Sequence, residues 1–325
     1  MFTGLLKSRR GSMLVFAAIS LTAMLIFTSF AVDVSCILTA RNQLQTSVDA
    51  AALAGASGLL ESYSEAERRA VTFASLNRVM DQPVQLSSSN DDGGGDITFP
   101  QSNQVRVQAG HDVNLYFAPL MGLQSVHITA EATAEINRIV ATSGMRPWGV
   151  PDFGWTVGTP VVIKAGKTGA PATNPSFFYP IDFPPMNRGK PVRGASAYED
   201  NIMYGTRFTV KIGDQIQVEP GNMTGPTKKG VDYLIDLDPN AYWNGHEVVG
   251  SNYPGFSSPR IIKIPLYDPD NPPDSGRKFI DCIGLGAFFV QAMTGKDVVG
   301  IFLRTITDGQ TGNGYSYLRG VKLIN

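Results

Sequence analysis

Cysteine and histidine are scarce in this chain of 325 residues, which contains two cysteines and three histidines. Cys36 and Cys282 lie too far apart in sequence for us to predict a disulfide, which argues against a disulfide-stabilised scaffold. The histidines, His111, His127 and His246, have no spacing typical of zinc ligands. Cys36 is therefore either a small apolar residue or, in a homo-oligomer, a residue that cross-links parallel helices.

Motifs for nucleotide binding and catalysis are also missing. Gly166-Lys167-Thr168 ends like a P-loop, but Val161 stands where that loop needs its first glycine. No Gly-x-Ser-x-Gly nucleophile elbow is present. The net charge is −1 and no basic face is evident, so we do not expect a nucleic-acid partner. We predict no catalytic residue.

Charged residues are absent from Gly11 to Val32. Within this segment, Met13–Val32 is an apolar run of 20 residues, which as a helix is about 30 Å long and matches a bilayer core. The run exceeds the apolar core of a cleaved signal peptide. We predict a retained transmembrane helix at residues 12–35. Its polar side chains are hydroxyls that can donate to the helix backbone, namely Ser20, Thr22, Thr28 and Ser29.

The charges that flank the apolar run predict its orientation. Lys7, Arg9 and Arg10 precede it, and Asp33 follows it. The positive-inside rule then leaves residues 1–11 in the cytoplasm as a short tail. The bulk of the chain is expected on the other side of the membrane.

A specific motif extends through this run. It reads Arg10-Gly11, the apolar run, Ala31-Val32-Asp33-Val34, and then Arg41-x-x-Leu44-Gln45-x-x-x-Asp49-Ala50-Ala51-Ala52-Leu53-Ala54-Gly55-Ala56. Here the chain resembles the TadE/TadG-like proteins of the tight-adherence (Flp) pilus system, the TadG-like branch most closely. The resemblance implies a single-pass protein of the bacterial cytoplasmic (inner) membrane that helps to build or anchor a thin pilus without catalysis. The partners it implies are the lipid bilayer and other Tad pilus-machinery proteins or pilin.

Processing by a prepilin peptidase is a question that the resemblance raises. Prepilin-like members are cut after a glycine and carry a glutamate at the fifth mature position. A cut between Gly11 and Ser12 would place Phe16 at that position. The missing glutamate favours an uncleaved anchor, and a minor pilin processed after Gly11 is the alternative.

After the span, the helix is expected to continue. Leu44, Val48, Ala51 and Gly55 follow helical spacing and form one apolar stripe. Its small residues allow a close approach, so Leu53, Ala54 and Gly55 are candidate contacts for other pilus-machinery helices. The alternative is that the stripe packs against its own domain.

Residues 36–140 are expected to form a pilin-like α+β domain. A second helix should run from a capping box at Ser64 and Glu67 to about Met80. Alternating apolar and polar residues at 104–108 and 126–136 then predict strands of an antiparallel meander.

The prolines mark the next boundary, because 18 of the 21 follow Gly144. We place a linker at 141–147 and a β-rich, sandwich-like extracytoplasmic domain at 148–325. One short helix is expected at Thr227–Leu237, with Thr227 as its cap. The predicted strands are Thr159–Lys164, Arg207–Lys211, Gln215–Glu219, Arg260–Leu266, Gly286–Gln291, Val298–Leu303 and Tyr317–Leu323.

Aromatic residues and prolines are concentrated at 177–185. Phe177, Phe178 and Tyr179 could stack on sugars or contact a partner chain, although such residues also fold back into their own domain. This segment supports a second interpretation of the chain as an anchored adhesin or carbohydrate-binding module. Glycan binding by the outer domain would favour that interpretation.

One acidic loop is the best candidate for a metal site. Asp268, Asp270 and Asp274 place carboxylates two and four residues apart among prolines. Such hard oxygen ligands could bind Ca²⁺, and a solvated turn is the other interpretation. We expect no other cofactor.

Overall fold

The computed structural model describes residues 9–87, 96–164, 178–219, 221, 223–273 and 279–324. The chain divides into two compact units. The first comprises residues 1–135 and 322–325, and the second comprises residues 136–321. The division falls inside one strand, β5 (Ser125–Thr142). The structure contains both helices and sheets, which confirms the α+β class.

The first unit begins with two helices and continues with short and long strands. They are α1 (Arg9–Gly58), α2 (Tyr63–Leu76), β1 (Arg78–Val79), β2 (Gln82–Pro83), β3 (Ile97–Thr98), β4 (Gln104–Asn114) and the first part of β5. A 3₁₀-helix, Ala118–Met121, lies in the connection from β4 to β5. The prediction that the helix continues beyond the apolar run is confirmed, because α1 is a single helix of 50 residues.

Helix α2 begins earlier than its sequence predicts. Its N-cap is Ser62, whose hydroxyl accepts a hydrogen bond from the Glu65 amide at 3.1 Å. The predicted cap, Ser64, is therefore wrong, and the helix ends at Leu76 rather than near Met80. Ser62 and Ser64 are two residues apart, and either side chain can cap a helix. An N-cap residue needs an extended backbone, and the sequence does not show which of the two serines has it.

Strands β3, β4 and β5 form an antiparallel sheet in the first unit. Val105 pairs with Ala134, and Val113 pairs with Val126, so β4 and β5 form one long hairpin. Alternate residues of β4 are buried, including Val105 and Val107. Since α1 packs against α2 and β4, the core of this unit lies between two helices and one face of the sheet.

The second unit contains two helices and many strands, and the end of its last strand, residues 322–324, belongs to the first unit. After β5 they are β6 (Trp148–Pro151), β7 (Pro160–Lys164), β8 (Tyr179–Asp182), α3 (Ala195–Tyr204), β9 (Val210–Lys211), β10 (Gln215–Val218), α4 (Thr224–Leu237), β11 (Tyr242–Trp243), β12 (Val248–Val249), β13 (Ile261–Tyr267), β14 (Phe279–Asp281), β15 (Gly284–Thr294), β16 (Asp297–Leu303), β17 (Thr305–Ile306), β18 (Gln310–Thr311) and β19 (Leu318–Ile324). Each of the seven predicted strands overlaps an observed one.

The main sheet of the second unit has eight strands in the order β14-β10-β8-β6-β13-β15-β16-β7. Its pairings are antiparallel except between β13 and β6. Tyr198 and Ile202 of α3 and Leu234 of α4 pack in one core with Trp148 and Phe288 of the sheet. Helix α3 had not been predicted, and helices rather than a second sheet contribute to this core.

Two local predictions for the second unit differ from the structure. Residues 141–147, which the proline distribution marks as a linker, include the end of β5 and the fully buried Met145. Thr227 lies inside α4 rather than at its cap, and its hydroxyl donates to the Met223 carbonyl at 2.7 Å. This hydroxyl also lies 3.1 Å from that of Tyr198, so Thr227 joins α4 to α3.

Candidate membrane anchor

The first half of α1 presents large apolar side chains that contact little of the protein. From Met13 to Val32 nearly every residue is exposed, including Phe16, Phe27 and Phe30. The hydroxyls of Thr22, Thr28 and Ser29 donate to the carbonyls four residues earlier at 2.6–2.9 Å, which satisfies these polar groups within the helix. The helix is long and apolar enough to cross a membrane.

The second half of α1 is built from small residues that are buried inside the first unit. Ala51, Ala52 and Ala56 have no exposed surface. A Cβ atom on Gly55 would lie 3.0 Å from the Val105 side chain and 3.3 Å from the Ala70 Cβ. Glycine at this position therefore allows α1 to approach both α2 and β4 closely.

This packing corrects the prediction of a partner surface at Ala54 and Gly55, whereas for Leu53 it stays a prediction. Ala54 and Gly55 are buried, and Leu53 is half-buried. The small-residue stripe packs against its own unit, as the alternative interpretation had it. The sequence could not distinguish the two, since a close helix approach has the same composition in both cases.

Asp33 connects the end of the apolar run to the rest of the first unit. The residue is only 4% exposed. Oδ1 accepts hydrogen bonds from the amides of Tyr116 and Phe117 at 2.8 and 3.2 Å. Oδ2 accepts from Phe117 and Ala118 at 3.1 and 2.7 Å. One carboxylate thus holds three consecutive amides at the start of the 3₁₀-helix, where helix N–H groups lack partners.

The Gly11–Ser12 bond of the processing prediction lies near the start of α1, which begins at Arg9. Whether it is cleaved stays a prediction.

Phe178 and Tyr179 are not a surface for partners. Tyr179 belongs to β8, a strand inside the main sheet, and Phe178 directly precedes it. Both side chains are buried, and the Tyr179 ring packs edge-on against that of Tyr267. The hypothesis of an aromatic binding loop is corrected for these two residues, which fold into their own core; Phe177 lies outside the described residues.

The structure describes two of the three aspartates of the calcium hypothesis, Asp268 and Asp270. The Asp268 carboxylate accepts a hydrogen bond from the Asp270 amide at 2.9 Å, as in an Asx turn. Asp274 lies outside the described residues. Within the described ranges, no group of three or more His, Cys, Asp or Glu side chains is arranged to hold a metal ion, so Ca²⁺ binding stays a prediction.

Two cations that sequence reasoning had missed line a cleft in the second unit. The cleft has a volume of about 280 Å³, and Arg146, Lys263 and Thr307 are among its lining residues. Burial lowers the pKa of Arg146 to about 10. Burial first, and then the nearby charge of Arg146, lowers the pKa of Lys263. The Lys263 ammonium donates to the hydroxyls of Thr142 and Thr307, each at 3.1 Å.

A pair of buried carboxyl groups is a second feature without a sequence signal. Asp182 ends β8, and Glu219 follows β10. Burial first, and then the hydrogen bond and charge of Glu219, raises the pKa of Asp182 to about 8. Asp182 Oδ2 and Glu219 Oε2 are buried and have no hydrogen-bond partner among the described residues, and the Arg193 Nε atom lies 3.9 Å from Asp182 Oδ2.

Comparison with known proteins identifies the N-terminal segment. Residues 11–58 match the family model described as "Putative Flp pilus-assembly TadE/G-like". The match ends at the last residue of α1, so it covers both the exposed and the buried half of that helix. No curated protein and no solved structure was found to match the chain.

This TadE/G-like match supports a role related to the Flp/Tad pilus and suggests interaction with other Tad pilus components. The matched family is one of structural components. The resemblance to TadE/TadG-like proteins, stated above from the motif, is therefore confirmed for residues 11–58.

Proposed function

We propose that this chain is a membrane-anchored, non-enzymatic component of Flp/Tad pilus assembly, of the TadG-like branch. The first half of α1 is its single span of the bacterial cytoplasmic membrane. Residues 1–11 lie in the cytoplasm, and both compact units lie on the extracytoplasmic side. The observation that supports this most strongly is the coincidence of the family match with α1, whose first half is apolar and exposed.

The anchor works by position rather than by chemistry. The second half of α1 is part of the core of the first unit, and Asp33 fixes the turn after β4 at the end of the apolar run. The span and the folded unit are therefore joined by a continuous helix and a buried carboxylate instead of a flexible linker. Such a joint holds the unit at a defined height and orientation above the bilayer, where it can meet pilin or other Tad proteins.

Genetic replacement tests the need for the anchor. A strain that lacks this chain should lose its pili, and the full chain should restore them. Residues 36–325 exported behind a cleavable signal should not, even though they retain most of the first unit's core. Restored piliation by the exported form would show that anchoring is dispensable.

A minor pilin processed after Gly11 is the alternative within the same family. Intact-mass and N-terminal analysis of the protein from membranes and from sheared filaments separates the two. The anchor predicts a chain that retains residues 1–11 and is found only in membranes. A chain that starts at Ser12 and is present in filaments would establish the minor pilin.

A further inference from the structure

An apolar loop projects from the first unit beside the end of the span. The connection between β4 and β5 lies in a segment, residues 113–126, that has no charged residue. The side chains of Leu120 and Met121 are 88% and 89% exposed, and Tyr116, Phe117 and Leu123 are also exposed. We call residues 116–123 the apolar loop. Large apolar residues clustered at one exposed turn indicate contact with something other than water.

Most backbone amides of this loop have hydrogen-bond partners, either within the loop or at Asp33. The Leu115 amide donates to the Gln124 carbonyl at 3.0 Å and closes the loop at its base. The Leu120 and Gly122 amides donate to Phe117 and Pro119 at 3.1 and 3.0 Å. Gly122 has a φ of 92°, a conformation that favours glycine, and this allows the chain to turn back toward β5. A loop with few free amides is suited to a poorly hydrated environment.

Asp33 determines where the loop lies relative to the span. The carboxylate directly follows the last residue of the apolar run, Val32, and it binds the Tyr116, Phe117 and Ala118 amides. Leu120 is two residues beyond Ala118, which places it at most about 7 Å further along the chain. The polar zone on each side of a bilayer core is about 5–8 Å deep, so the loop lies within reach of that zone.

We propose that the apolar loop inserts into the headgroup and upper acyl region of the bilayer that α1 spans, so that the protein contacts lipid at two points. This inference rests on the proposed anchoring function and adds a second membrane-binding element to it. A lipid surface is favoured over a second copy of the chain, because the loop continues the exposed apolar surface of the span itself. Two points of contact fix the rotation of α1 about its axis as well as its depth.

Site-specific fluorescence tests the loop and the span separately. Single cysteines are introduced as Leu120→Cys, Met121→Cys and, in the span, Leu25→Cys, in full-length protein carrying Cys36→Ser; the buried Cys282 remains. Each is labelled with an environment-sensitive NBD dye and reconstituted in phosphatidylcholine–phosphatidylglycerol vesicles. Lipids brominated at shallow or deep acyl positions then report the depth of each probe.

Leu76→Cys provides the matched control. Leu76 is a large aliphatic residue of the same unit and is 72% exposed. The Met80 amide, four residues after Leu76, donates to Gln43 Oε1. Gln43 is eleven residues beyond Val32 in α1, which is about 16 Å farther along the helix axis. This control lies beyond the polar zone of the bilayer.

The proposal predicts quenching at Leu120→Cys and Met121→Cys by shallow bromolipids, quenching at Leu25→Cys by deep ones, and none at Leu76→Cys. Quenching at Leu25→Cys alone would overturn the loop proposal and leave the anchor in place. A blue-shifted loop probe without bromolipid quenching would overturn it in favour of a protein contact, such as a second copy. No quenching at Leu25→Cys would overturn the anchor and the loop proposal with it.

Discussion

The two halves of α1 share one helix but have opposite surroundings. From Met13 to Val32 the side chains are mostly large, apolar and exposed, whereas from Ala40 to Ala56 the buried ones are mostly small. The second half forms a core with α2 and β4, and its small side chains let those elements approach. The first half has no such partner in the described residues, and its size and apolarity suit lipid. Side-chain size and exposure together thus distinguish a helix that packs in protein from one that packs in a bilayer.

A pair of charges in the first half should produce the largest effect. Leu21→Arg with Leu25→Arg places two guanidinium groups near the centre of the span, and each costs roughly 3 kcal/mol of insertion free energy. The protein should then leave the membrane fraction while its second unit stays folded, as measured by fractionation and limited proteolysis. Leu21→Ile with Leu25→Ile is the matched control. Unchanged membrane association of the arginine variant would contradict the lipid environment of this half.

A larger side chain in the second half should reduce stability without affecting membrane association. Gly55→Val introduces a Cβ that meets Val105 at 3.0 Å and Ala70 at 3.3 Å, and overpacking of this kind costs roughly 3 kcal/mol. The check is thermal unfolding in detergent together with membrane fractionation. Asn42→Val, at an exposed position of the same helix, controls for the β-branched residue. Equal melting temperatures for both variants would show that Gly55 does not pack as described.

Replacement of the Asp33 carboxylate should loosen only the loop between β4 and β5. Asp33→Asn keeps the size of the side chain but replaces one accepting oxygen by an amide that repels the facing N–H groups. The amides of Tyr116, Phe117 and Ala118 should exchange with deuterium severalfold faster, while those of α2 do not change. Asp49→Asn, which affects a carboxylate that accepts from Gln45, is the control. Equal exchange rates of these three amides in the wild type and the variant would show that Asp33 does not hold the loop.

The smallest effect is expected from acid titration of α2. Hydrogen bonds from Arg68 first, and then from Arg69, lower the pKa of Glu65 to about 2. A carboxyl with a lowered folded-state pKa stabilises the fold above its ordinary pKa and loses that contribution as the pH falls toward 2. Glu65→Gln should therefore cost about 0.5–1 kcal/mol at neutral pH and less near pH 2, where Glu65 is partly protonated in the folded protein as well. A difference in unfolding free energy that is the same at both pH values would contradict this ion-pair network.

Much of the backbone could be predicted from residue pattern. The uncharged run predicted α1, and alternation predicted the hairpin of β4 and β5, because both patterns depend on neighbours along the chain. Helix α3 was missed, and Ser64 was chosen over Ser62, since a cap depends on one backbone conformation. Phe178 and Tyr179 stayed candidate contacts, with burial in their own domain as the alternative, because the sequence does not show that β8 lies inside a sheet of eight strands.

The contacts that sequence reasoning missed, in the anchor and in the second unit, join residues that are far apart in the chain. Asp33 and the amides that it binds are more than 80 residues apart. Its place after an apolar run was visible, but its partners were not. Arg146 and Lys263, and likewise Asp182 and Glu219, come together only when the strands of the second unit pair. No local spacing signals such contacts, so only the folded chain reveals them.

Topology mapping tests the central claim that the first half of α1 spans the bilayer and that the folded units lie outside. Thr3→Cys and Leu76→Cys, each with Cys36→Ser, are labelled in spheroplasts with a membrane-impermeant maleimide before and after detergent. The account predicts that Leu76→Cys reacts at once and that Thr3→Cys reacts only after detergent. Labelling of both cysteines in intact spheroplasts, or of Thr3→Cys alone, would contradict it.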